Sequence, residues 1–76
     1  MEAVMFGVVV RVYFSKRDNY IEFKVKDTTT DAINLAWNDA LLNGYGVFNE
    51  TDHHGNRVTI HSDKVDMFVA MPWNGV

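Results

Sequence analysis

The sequence predicts an α+β fold: an antiparallel sheet of four to five strands in β-β-α-β-β order, with one helix packed on one face. Three observations carry the prediction. Residues 30–42 repeat their apolar side chains at helical spacing, the segments on either side alternate apolar and polar with period two, and clusters of Asp, Asn, Ser and Gly separate those segments. A single amphipathic helix shields only one face of a sheet. What covers the second face is therefore the question this chain poses.

The first strand is expected over residues 4–14. Val4, Phe6, Val8, Val10, Val12 and Phe14 form an unbroken apolar row, whereas Met5, Gly7, Val9, Arg11 and Tyr13 on the other side are mixed rather than polar. Residues 15–19 are a turn cluster in which Asp18 and Asn19 tolerate tight backbone geometry. The second strand, residues 20–26, alternates cleanly, with Ile21, Phe23 and Val25 inward and Tyr20, Glu22, Lys24 and Lys26 outward. The two strands form an antiparallel hairpin.

Residues 27–30 offer a choice of helix caps, and Thr28 with Asp31 resembles a capping box with Asp in place of Glu. Asn43-Gly44 ends the helix. At about 100° per residue, Ile33, Ala36, Trp37, Ala40 and Leu41 share the stripe expected to face the sheet. A third strand follows over residues 45–51, then a hairpin loop over 52–56 with Gly55 at the positive-φ position. The fourth strand, 57–61, turns Val58 and Ile60 inward; after a short break at 62–64, a fifth covers 65–71. Pro72 lacks the N–H for a ladder bond and is expected to stop it, which makes residues 1–71 one domain and 72–76 a tail.

Seventy-six residues leave room for one core, and at that size burial barely exceeds chain entropy, so a second subunit is a common remedy. The chain has no cysteine, which excludes disulfides and thiolate metal sites. Met1-Glu2-Ala3 lacks a basic leader region, and the apolar run over 3–10 stops at Arg11, too short to span a membrane. The expectation is a soluble, cytoplasmic protein. Net charge is −3, divided as +2 over residues 1–26 and −5 over 27–76, so the molecule is polar and its acidic part could meet a basic partner.

Two groups of residues do not suit a monomer with one covered face. Met5, Val9 and Tyr13 make the outer row of the first strand apolar, Phe48 or Phe68 could extend it, and a homodimer is the most economical cover. On the helix, Leu35 and Leu42 lie seven residues apart, opposite Ile33 and Trp37, among Asp31, Asn34 and Asn38. The alternative is ordinary: isolated surface leucines are common, and Leu42 could make the contact that accompanies a Gly cap.

Catalytic chemistry finds little support. His53, His54 and His61 lack a recognised metal-ligand spacing, and adjacent loop histidines aim poorly at one ion. Ser62 adjoins His61, but strand neighbours point to opposite faces, so they make a poor nucleophile and base. Gly44-Tyr45-Gly46 follows a helix, whereas phosphate loops precede one. No enzyme, cofactor or metal is expected.

The reading is a small binding module that docks on another protein and modulates or inhibits it. Its expected partner-binding residues are Asp31, Leu35, Asp39, Leu42, Glu50, Asp52, Asp63, Asp66 and Trp73, which could present an acidic surface to a basic nucleic-acid-binding protein. Trp73 either anchors that partner or folds back over its own sheet. The alternative function is single-stranded nucleic-acid binding through the first hairpin, where Lys16, Arg17, Lys24 and Lys26 lie near Tyr13 and Tyr20.

Overall fold

The computed structural model describes residues 6–15, 19–43 and 45–74. Val4 and Met5 of the expected first strand, Lys16, Arg17 and Asp18 of the turn, Gly44 and the last two residues of the tail lie outside them. The elements are β1 (Gly7–Phe14), β2 (Tyr20–Lys26), α1 (Thr30–Leu42), β3 (Val47–Thr51), β4 (Arg57–His61), a 3-10 turn (Ser62–Lys64) and β5 (Val65–Trp73).

The α+β class and the antiparallel pairing stand, but the strands divide into two sheets. One has three strands in the order β2-β1-β5, and the other is the β3-β4 hairpin. The division has a packing cause. Phe48 and Ile60, from the two strands of that hairpin, enter the same core as Val8, Val10 and Val12. The hairpin therefore lies over the larger sheet beside the helix instead of extending it.

Register decides which side chains meet. Val8, Val10 and Val12 oppose Val25, Phe23 and Ile21 on one side, and Pro72, Ala70 and Phe68 on the other. All three valines are fully buried, the reward for an unbroken apolar row on the central strand. Gly7 sits between Lys26 and Trp73. A Cβ there would lie 2.0 Å from the Val25 carbonyl oxygen and 3.0 Å from the Trp73 ring, so only glycine lets these neighbours close.

Strand β5 continues through Pro72 to Trp73, past the expected stop. It is an edge strand, where a proline is tolerated because its missing N–H faces away from the neighbour. Phe68 faces Val12 on the core side, so neither it nor Phe48 extends the outer row. Instead Trp37 stacks on Phe68 with centroids 4.3 Å apart and planes 5° from parallel, and Phe48 meets both rings edge-on.

The helix keeps its expected bounds, but its cap is Thr29, whose Oγ1 accepts from the Ala32 N–H at 3.2 Å. That places the cap one residue past Thr28 and removes the capping box. Its buried seam is also narrower than the sequence suggests: Ile33 and Ala40 are buried and Trp37 half-buried, while Ala36 and Leu41 are exposed. The β3-β4 hairpin takes the space on the core face that a wider stripe would have needed.

Candidate functional site

The helix and the β3-β4 core residues sit on the Val8–Val10–Val12 side of the three-stranded sheet. The opposite, outer face carries Gly7, Val9, Arg11 and Tyr13 from β1, Tyr20, Glu22, Lys24 and Lys26 from β2, and Met67, Val69, Met71 and Trp73 from β5. Val9, Tyr13, Val69 and Met71 remain half-exposed and Met67 is 48% exposed. Met67, Val69 and Met71 form an apolar strip along β5, flanked on β1 by Val9 and Tyr13 with Arg11 between them, and bordered by charge on β2. Val9 and Tyr13 thus occupy the face the alternation predicted, while Met5 lies outside the described residues.

One corner of that face is covered by the chain itself. The tip of the β3-β4 hairpin is tied to β2 by the His53 N–H, which donates to the Lys24 carbonyl at 2.7 Å. The His53 ring then meets Trp73 edge-on at 5.4 Å, and the Lys24 ammonium lies 5.5 Å from the Trp73 ring centre. Trp73 is only 9% exposed. It folds back on its own sheet, as one of the two sequence readings allowed, and does not project as an exposed anchor. The His53 Nδ1 is buried there without a hydrogen-bond partner.

The border on β2 is polar but internally matched. Arg11 pairs with Glu22 at 2.8 Å and lies over the Tyr20 ring at 4.6 Å; Tyr13 and Tyr20 have centroids 5.0 Å apart. An exposed pair of this kind adds little to folding. Its main effect is to hold two aromatic rings and a guanidinium upright on an open sheet.

A second exposed surface lies at the C-terminal end of α1. Leu35 is 69% exposed and Leu42 82% exposed, on the side the sequence assigned to a partner. Beyond them stands Tyr45, which sequence reasoning passed over. It is fully exposed, yet its φ of 57° puts it in the left-handed region, at a cost of roughly 1–2 kcal/mol for a residue with a Cβ. The turn is held by the Gly46 N–H donating to the Ala40 carbonyl at 3.0 Å. Its sequence signal was an aromatic residue framed by two glycines at a helix exit.

The acidic residues are not gathered into one site. Asp31 and Asp39 are exposed on the helix, Asp63 lies in the 3-10 turn and Asp66 on β5. Asp39 accepts from the Asn43 side chain at 2.9 Å, and Glu50 from the Thr51 N–H at 3.0 Å. Asp52 organises its own loop by accepting from the backbone N–H groups of His54 and Asn56 at 3.0 and 2.8 Å. Desolvation pushes its carboxyl up, but these hydrogen bonds outweigh it and hold the group below the ordinary carboxylate value.

The His53 and His54 rings lie 3.8 Å apart, and among the described residues no group of three or more His, Cys, Asp or Glu side chains is placed to hold a metal. A shallow cleft of about 210 Å³ between α1 and β3 is lined by Ala36, Asp39, Ala40, Val47, Phe48 and Asn49. No described helix is long and apolar enough to cross a membrane. No protein-family model, curated protein or solved structure matches this chain.

Proposed function

We propose that this chain is a non-enzymatic protein-binding module that pairs with a second copy of itself through the outer face of its three-stranded sheet and modulates a partner protein. The observation that carries the reading is the apolar strip of Val9, Tyr13, Met67, Val69 and Met71, left open on the side away from the helix. The α1–β3 cleft is smaller than the roughly 300–1,000 Å³ of typical small-molecule sites and holds no paired nucleophile and base.

The size of the strip sets the expected strength. Three strands of about eight residues present a face of roughly 26 by 14 Å, so a face-to-face pair buries roughly 700 Å² in all, below the usual size for specific association. The pairing is weak and reversible, with a Kd on the order of 100 µM. Sedimentation over a wide concentration range tests it: the wild type should move from monomer to dimer near about 100 µM, and Val69→Lys should stay monomeric with unchanged folding. A wild type that remains monomeric throughout would exclude the dimer.

A second reading is favoured by one specific arrangement: Arg11, Tyr13, Tyr20, Lys24 and Lys26 share that same open face. Aromatic rings and cations on an exposed sheet suit single-stranded nucleic acid. With Lys24 and Lys26 each neutralising one phosphate, the affinity should fall with salt at a log–log slope of only about −1.4. An oligonucleotide titration at low salt separates this reading from the first.

A further inference from the structure

We propose that the C-terminal end of α1 is a docking site for a basic amphipathic helix of another protein, anchored by Leu42 and Tyr45 with Leu35 as a third contact. This deepens the reading of the chain as a binding module and does not depend on the dimer.

Leu35 and Leu42 fall on nearly the same line of the helix, about 10 Å apart along its axis, and both stand out in solvent. Tyr45 follows three residues later, wholly exposed, in a backbone conformation that glycine adopts freely and tyrosine resists. Folding does not explain that choice, since an exposed ring buries nothing. Strain held at an exposed aromatic side chain is understandable when the ring is used by something else. Tyrosine is also among the residues enriched at binding hot spots.

Charge identifies the occupant. Helix α1 carries Asp31 and Asp39 and no Lys, Arg or His, and its last turn has no basic residue to offset the negative end of its dipole. A nucleic acid or an anionic membrane would be repelled at this surface, whereas a cationic peptide would be drawn to it. The spacing of Leu35 and Leu42, about 10 Å or two turns, matches that of apolar residues at i and i+7 on a partner helix, with i+4 between them.

The test is a titration of the isotope-labelled full chain with a synthetic Leu/Lys amphipathic helical peptide, followed by amide chemical shifts. Shifts should concentrate at Leu35, Leu42, Asn43 and Tyr45. Tyr45→Gly, which suits the positive φ and should fold at least as stably, should weaken binding about tenfold, as should Leu42→Asp. A Leu/Glu peptide of the same pattern should not bind. Shifts on Val9 or Val69 instead, equal binding by both peptides, an unaffected Tyr45→Gly variant, or no binding would each overturn the proposal. So would stronger attachment to phosphatidylglycerol vesicles than to the peptide. Sedimentation of the same samples reports the dimer separately, so failure of the docking site and failure of the dimer are distinguishable.

Discussion

Replacing Trp37 by alanine removes the parallel stack on Phe68 at 4.3 Å and the edge contact with Phe48 at 5.6 Å, and opens the fully buried Phe48 to water. Truncating a buried tryptophan costs about 3–5 kcal/mol. Because Trp37 is itself only half-buried, the lower end applies, about 3 kcal/mol. A domain of this size has roughly 4–11 kcal/mol in total, so the variant should fold but lose a large fraction of its stability. Urea denaturation followed by far-UV circular dichroism is the assay. With a slope near 1 kcal/mol per molar, the midpoint should fall by about 3 M at unchanged slope. The ring contact can be isolated with a Trp37→Leu, Phe68→Leu double-mutant cycle, which should show a coupling of about 0.5–1.5 kcal/mol. A Trp37→Ala loss below about 1 kcal/mol, or a coupling of zero, would refute the packing of Trp37 and Phe68 over the buried Phe48.

Three further outcomes follow from local geometry. Gly7→Ala drives a Cβ into the Val25 carbonyl, a backbone atom that cannot rotate away, and should cost about 3 kcal/mol or more by the same denaturation assay. His53→Phe keeps the contact with Trp73 and removes a buried nitrogen that has no partner, so stability should be unchanged or higher by about 1 kcal/mol, read as a shift in thermal midpoint. For Asp52 the sign is set by its lowered pKa: its loop contribution is complete above the ordinary carboxylate value of 3.8 and is lost as pH falls through the lower folded value. The amide shifts of His54 and Asn56 should therefore titrate below pH 3.8, and Asp52→Asn should abolish that step.

Much of this architecture can be read from periodicity. The bounds of α1, β2 and β4 follow from alternation and spacing alone, and Val9 and Tyr13 reach the outer face because side chains on a strand alternate strictly. The partition into two sheets could not be read that way. Whether β3-β4 extends a sheet or lies across it depends on where Phe48 and Ile60 find apolar neighbours, which is a tertiary matter. Pro72 misled for a related reason, since its effect depends on which edge of which sheet it occupies. Of the candidate site, the exposed pair Leu35 and Leu42 was legible from a spacing of seven, whereas Tyr45 was not: its conformation is set by how the chain leaves the helix.

The tether from His53 to the Lys24 carbonyl has a consequence for assembly. It caps the outer margin of β2 midway along, while Pro72 interrupts the outer margin of β5. Each flank of the three-stranded layer thus carries one interruption to a neighbouring chain that would add itself as another rung, the route by which small β-rich proteins run into fibrils. A pair formed through the outer faces, as proposed above, would close at two molecules, a geometry in which a greasy surface does not become a filament.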